Sequence, residues 1–297
     1  MGEFLLPPPL SPGDRVRIVA PSSPFDETLF LRGVSWLEER YQVEVADGTL
    51  SRSGFLAGSD ETRRRALDMA LREPGVAAVV AARGGYGAVR IAHLVDWPAL
   101  CRYPKWLVGF SDVTALHLEA QRLGVCSLHA ENAAGLGRAD DAARAEWVAA
   151  LEAPARARSF AGLQSWSPGG AEGVLAGGNL TVIFTAGAAG RLFLPRGSIL
   201  ALEDVTEASY RVDRMLSALL LSGALDHVAG VVVGDFSDCP AGPHGVPVEA
   251  VLRERLLELR VPVLAGLGFG HGATNVPLPF GLRARLDANA GVLSVAG

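Results

Sequence analysis

Four short runs rich in apolar or β-branched residues punctuate the first half of this chain, and each hands over to a turn or a helical stretch. RVRIVA (Arg15–Ala20) precedes DETLFLRGVSWLEER (Asp26–Arg40), which has helical periodicity and acids in its first turn. QVEVA (Gln42–Ala46) precedes SDETRRRALDMALREP (Ser59–Pro74), with Ser59 as N-cap and Pro74 as stop. VAAVVAAR (Val76–Arg83) and WLVGF (Trp106–Phe110) are continuous apolar runs, the pattern of strands buried on both faces. DVTALHLEAQRL (Asp112–Leu123) reads as the helix directly behind the second of them. Repeated β-α-β units of this kind imply a parallel sheet with right-handed crossovers.

The second half has a different texture. Near Pro154–Gly170 the pattern loosens into a linker-like stretch, APARARSFAGLQSWSPGG. Beyond it SILALED (Ser198–Asp204) and HVAGVVVGDF (His227–Phe236) read as strands around a helix, SYRVDRMLSALLLSG (Ser209–Gly223). LRARLD (Leu282–Asp287) and GVLSVA (Gly291–Ala296) flank an Ala-Asn-Ala-Gly turn and read as a terminal hairpin. The expectation is an N-terminal α/β domain over residues 1–155, a linker over 156–170 and a C-terminal α+β domain over 171–297.

Composition narrows the function classes. Across 297 residues, 49% hydrophobic and 20% charged residues are enough for packed cores. A net charge of −5 argues against a nucleic-acid partner, and no basic stripe interleaved with aromatics appears. Cys101, Cys126 and Cys239 are an odd, scattered set, fitting a reducing compartment rather than a disulfide framework. No HExxH, CxxC pair or DxDxDG spacing supports a metal, and no cofactor motif is present. The start, MGEFLLPPPLSPGD, lacks the charge and apolar core of a signal peptide, and no apolar run is long enough to span a bilayer. The expected location is the cytoplasm.

Ligands of open α/β sheets lie outside the carboxyl ends of strands, and two such ends stand out. In ARGGYGAVRI, Gly84, Gly85 and Gly87 let the chain turn tightly and bare its amides toward a ligand or an oxyanion. An ordinary tight turn explains the same glycines. In VGFSDVTALH, Ser111 occupies the turn between strand and helix, where a nucleophile is exposed and the helix N-terminus favours developing negative charge. A plain N-cap at Ser111 or Asp112 is the competing explanation. A serine nucleophile needs a base and an orienting acid. His129, at a strand end, and His271, flanked by glycines in a loop, are the two contenders for base. Glu203 and Asp204 end a strand and point to opposite faces, so one of the two would face the site. Residue spacing leaves both choices open.

Eight segments taken in order resemble the LD-carboxypeptidase family of serine peptidases. They are RIVAPSSP (Arg17–Pro24), FLAGSDETR (Phe55–Arg63), ARGGYGAVRI (Ala82–Ile91), GFSDVTALH (Gly109–His117), GGNLTV (Gly177–Val182), LEDVTEASYRVDRML (Leu202–Leu216), GVVVGDF (Gly230–Phe236) and GHGATNVPLPFG (Gly270–Gly281). The resemblance implies a flavodoxin-like parallel-sheet N-terminal domain, a β-rich α/β C-terminal domain and an active site in the cleft between them. It implies a triad of Ser111, Glu203 and His271, with an oxyanion hole from the backbone N–H groups of Asp112 and Gly85. Gly84, Arg83, Tyr86 and Asn179 follow as candidate substrate contacts. Implied too are a peptide or muropeptide substrate cut at an L-to-D bond, release of a terminal D-Ala, a homodimer, and neither nucleic acid nor membrane as partner. Where the family often has His-Gly-Pro, this chain reads His129-Ala130-Glu131. Two other readings remain: a microcin-like aminoacyl-nucleotide amide as substrate, with Trp166 as candidate adenine platform, and a non-catalytic binder of small anions.

Overall fold

A computed structural model describes residues 3–296; Met1, Gly2 and Gly297, the outermost ends of the two expected domains, lie outside the described residues. Contacts divide the chain into a first unit, Met1–Pro154 with Val276–Pro279, and a second, Ala155–Asn275 with Phe280–Gly297. The described strands are β1 (Arg15–Val19), β2 (Gln42–Val45), β3 (Val76–Ala81), β4 (Trp106–Gly109), β5 (Ser127–His129), β6 (Arg158–Phe160) and β7 (Gln164–Ser167). They continue with β8 (Gly170–Asn179), β9 (Ser198–Val205), β10 (Val228–Ser237), β11 (Val263–Ala265), β12 (Leu278–Phe280), β13 (Arg283–Asp287) and β14 (Val292–Val295).

The first sheet runs β12-β5-β4-β3-β1-β2, and β1 to β5 pair in parallel. The order 2-1-3-4-5 is that of a flavodoxin-like doubly wound sheet, whose ligands gather at the carboxyl ends of the strands. β3 and β4 sit in the middle, and their near-complete burial explains the unbroken apolar runs. The expected helix starts hold: Ser59 accepts from Thr62 N at the head of Asp60–Arg72, and Asp26 accepts from Leu29 N at the head of Glu27–Glu38.

The second unit carries an eight-stranded sheet, β6-β14-β13-β8-β9-β10-β11-β7. Its centre, β8 to β11, is parallel, and β13, β14, β6 and β7 add antiparallel flanks. Leu200, Leu202, Val231 and Val233 pack under the helices Leu180–Ala188, Ser209–Leu221 and Val248–Leu257. Each such fully buried side chain contributes on the order of 1.5–3 kcal/mol. The stretch read as linker-like contains β6 and β7, which close the two opposite edges of this sheet. With three and four residues, they are too short for a period-2 signal, and their pairing partners lie over 95 residues along in sequence.

Candidate active site

In the first unit, β4 delivers the chain to Ser111, whose φ of 65° is the left-handed region that costs a residue with a Cβ roughly 1–3 kcal/mol. Such strain is characteristic of nucleophile turns, where it lifts the side chain clear of the backbone. A 3₁₀ turn, Ser111–Val113, then leads into the α-helix Thr114–Arg122. Neither Ser111 nor Asp112 caps that helix. The Asp112 carboxylate instead accepts the N–H of Ala88 at 2.7 Å, at the head of the short helix Ala88–Ala92 that closes the loop after β3.

That loop stands directly against the serine. A Cβ built on Gly84 would lie 2.7 Å from Ser111 Cβ and 3.0 Å from its Oγ, so the close approach requires glycine here. Ser23, from the loop after β1, threads the turn: its N–H donates to the Gly84 carbonyl (3.3 Å) and its Oγ accepts from Tyr86 N (3.0 Å). Gly85 is exposed, with φ 107°. Arg83 donates to the Pro24 carbonyl at 2.7 Å, and the half-exposed Tyr86 ring rests 5.7 Å from that of Phe55. His129 is fully buried, stacked on His117 and beside Phe110. His117 has Gly109 O at 2.9 Å from Nε2 and Ser127 Oγ at 2.9 Å from Nδ1. A carbonyl only accepts, so Nε2 carries the proton and Nδ1 accepts from the hydroxyl. Burial pulls the His117 imidazole down to about 4. After it, Asn132 caps the helix Ala133–Leu136, and Glu131 O accepts from Trp147, so the departure at 129–131 is absorbed inside this unit's packing.

In the second unit, Glu203 and Asp204 lie near the carboxyl end of β9, just before its last residue Val205, and Asn179 stands by both carboxylates. Asp204 is committed to local structure: Oδ1 accepts from Asn179 Nδ2 (3.0 Å) and Val205 N (2.8 Å), and Oδ2 accepts from Thr181 N (2.9 Å) and Thr181 Oγ1 (2.8 Å). It therefore braces the helix that precedes β9, not the one that follows. Asn179 caps the same helix through Val182 N (3.2 Å). Its amide is thus tied into the protein on both its oxygen and its nitrogen. Glu203, with no exposure, meets Nδ1 of His271 at 2.7 Å through Oε2. Burial pushes its carboxyl up from the usual range, and the His271 hydrogen bond opposes that.

His271 sits in an irregular loop with 18% side-chain exposure. Gly270, at φ 111°, lets the loop lie on Glu203: a Cβ there would be 2.7 Å from the glutamate Cβ. The loop is braced on both sides of the imidazole. Gly270 N–H donates to Asn275 Oδ1 at 2.9 Å, and Gly272 N–H donates to the Asp235 carboxylate, whose own N–H holds the Phe269 carbonyl at 3.0 Å. Burial raises Asp235, opposed by the Gly272 amide and the nearby His271. Sequence reasoning singled out neither Asp235 nor Asn275 nor Ser23, although all three lie inside the segments that carry the family resemblance. Among the described residues no cluster of three or more His, Cys, Asp or Glu side chains could hold a metal ion, and no helix is long and apolar enough to cross a membrane.

Residues 16–130 match the LD-carboxypeptidase N-terminal domain and residues 172–286 the LD-carboxypeptidase C-terminal domain. The chain is 34% identical to the murein tetrapeptide carboxypeptidase of Pseudomonas aeruginosa, over 93% of this chain and 94% of that one. It is similar to the crystal structure of a muramoyltetrapeptide carboxypeptidase from Oxalobacter formigenes, with TM-score 0.85, 29% identity, and coverage of 95% and 99% of the two chains. The fold is shared with the microcin C7 self immunity protein MccF in complex with aspartyl sulfamoyl adenosine, at TM-score 0.89 and 21% identity, over 99% of this chain and 98% of that one.

Proposed function

Because this chain belongs to the LD-carboxypeptidase family, we propose that it is a serine peptidase in which Ser111 is the nucleophile, His271 the base and Glu203 the orienting acid. The observation that carries the reading is the 2.7 Å contact between Nδ1 of His271 and the buried Glu203 carboxylate. Such a contact supports a tautomer with the proton on Nδ1 and a lone pair on Nε2, the state a general base requires. The strained Ser111 turn supports the nucleophile's role from the other unit.

In this mechanism Nε2 of His271 takes the Ser111 hydroxyl proton as Oγ attacks the carbonyl carbon of the scissile amide. The N–H groups of Asp112 and Gly85 receive the oxyanion, each such donor contributing about 3 kcal/mol to lowering the barrier. The imidazolium protonates the leaving amine, and water, activated by the same base, frees the acyl group from Ser111. The substrate is a murein tetrapeptide, as the name of the Pseudomonas relative suggests, and the family resemblance implies that its terminal D-Ala is the residue released. Cytoplasmic action on recycled wall peptides is consistent with three cysteines that form no disulfide. A homodimer follows from the family resemblance.

The microcin-type alternative draws on the fold shared with the immunity protein, which at 21% identity speaks for the fold alone. Trp166, its candidate nucleotide platform, lies 4.4 Å from the Arg253 guanidinium, donates to Gln164 and packs on the core of the second unit. The deciding experiment is mass spectrometry of a tetrapeptide muropeptide after incubation with wild-type enzyme and with Ser111→Ala. Loss of one D-alanine with the first and none with the second is expected; equal turnover by both would remove the nucleophile.

A further inference from the structure

One peptide group ties the glycine turn to the nucleophile turn. Its carbonyl, on Gly87, accepts from Nη1 of Arg63 at 2.9 Å; its N–H, on Ala88, donates to Oδ2 of Asp112 at 2.7 Å. Both partners are enclosed, Arg63 at 1% and Asp112 at 3% exposure. Arg63 is anchored further by the Pro21 carbonyl and the Asp60 carboxylate. Gly87, at φ 128°, is the residue type that permits the grip, since a Cβ there would fall 2.8 Å from Arg63 Nη1 and 2.6 Å from Leu56 Cδ2.

We propose that the Asp112 side chain is a positioning group for the reaction: by holding the Gly87–Ala88 peptide against Arg63 it sets where Gly84 and Gly85 stand relative to Ser111. The inference rests on the assignment of Ser111 and the Gly85 amide to catalysis. Asp112 is joined to Ser111 by a peptide bond, so any shift of the clamped peptide is a shift of the oxyanion donor relative to the nucleophile. Donors of this kind act only when held within about 0.5 Å of the productive pose. A carboxylate is a costly residue to enclose, because burial disfavours its charged form. Ala88 heads the short helix Ala88–Ala92, and an uncharged Asn or Ser would accept from its amide as well as Asp does for capping alone. An ionised carboxylate at this place would make a stronger, shorter hydrogen bond to the Ala88 amide than a neutral acceptor, hence a stiffer loop.

The test compares wild type, Asp112→Asn and Asp112→Ala on a tetrapeptide substrate, together with amide exchange at Ala88 and Ser111→Ala in parallel. The amide oxygen of Asn still accepts from Ala88, but without the charge. The expected result is a kcat lower by about 3- to 10-fold in Asp112→Asn and by about 30- to 300-fold in Asp112→Ala, with KM within about twofold of wild type. Ala88 exchange should quicken in the same order. An unchanged kcat in a folded variant, a loss confined to KM, or Asn as impaired as Ala would each overturn the proposal. If Asp112→Ala does not fold, Asp112→Asn decides alone. An inert Ser111→Ala beside a fully active Asp112→Asn removes only the positioning role, whereas an active Ser111→Ala removes the nucleophile beneath it.

Discussion

Nδ1 of His271 and Oε2 of Glu203 stand 2.7 Å apart, with the glutamate wholly enclosed and the imidazole partly open. Residue 204, next along the chain, is a comparably buried carboxylate held by four donors around its own strand end. The alternation of a β-strand divides the pair: one side chain meets the imidazole, the other braces the scaffold.

In the proposed triad, replacing Glu203 by Gln keeps the shape but removes the carboxylate that would select the tautomer and stabilise the imidazolium. The kcat should fall by about 10²- to 10⁴-fold, with the far-ultraviolet circular dichroism unchanged. Steady-state kinetics on the tetrapeptide check this, and a variant within threefold of wild type would remove Glu203 from the triad.

Asp204→Ala should act on stability. It strips acceptors from Thr181 and Asn179 at the head of the helix Leu180–Ala188, and buried donors left unpaired cost about 1–3 kcal/mol each. Urea unfolding should show a lower midpoint by a corresponding amount. A midpoint equal to that of wild type would mean the helix head finds other acceptors.

Gly84→Ala introduces a methyl group that cannot coexist with the present Ser111 side chain, 2.7 Å away. The serine must turn or the loop withdraw, at a cost of about 1–3 kcal/mol in overpacking. Labelling of Ser111 by a fluorophosphonate probe should slow at least tenfold, while the protein remains folded. Labelling at the wild-type rate would show that the two turns are not in the contact described.

His117 should make the protein acid-sensitive. Its imidazole titrates near 6.5 in the unfolded chain and is pulled down to about 4 by burial when folded. Between those values the unfolded state binds the extra proton, so stability falls as pH drops from about 6.5 to 4, by roughly 1.4 kcal/mol per unit from this group. Above 6.5 neither state is protonated and the contribution is constant. Urea titrations of wild type and His117→Gln at several pH values should diverge below 6.5 and run parallel above it. Parallel curves throughout would refute the assignment.

The parallel sheet of the first unit was legible because β3 and β4 announce themselves: a strand covered on both faces must be apolar at every position, and that demand is written locally. The helix head at Ser59 was legible for the same reason, since a cap satisfies amides only three residues away, while Asp26, read as a first-turn acid, is the cap of its helix. Ser111 could be singled out as a strand-end residue, and Glu203 narrowed to one of two by the alternation of a strand.

Other features depended on the folded chain. β6 and β7 are short edge strands whose pairing partners are remote in sequence, so a local window sees only a polar, glycine-bordered stretch. Residue spacing left both His129 and His271 as contenders; the resemblance favoured His271, and the fold gives the two different surroundings. His129 is drawn into a stack with His117, while Gly270 allows the other loop to lie on Glu203, 68 residues away. A cap at Ser111 or Asp112 was the competing explanation for that turn; the Asp112 carboxylate instead accepts from Ala88 at the head of a neighbouring helix. Periodicity, capping and turn chemistry are short-range and survive in one dimension. Which carboxylate meets which imidazole or amide is settled only when distant segments are brought together by burial of the apolar faces between them.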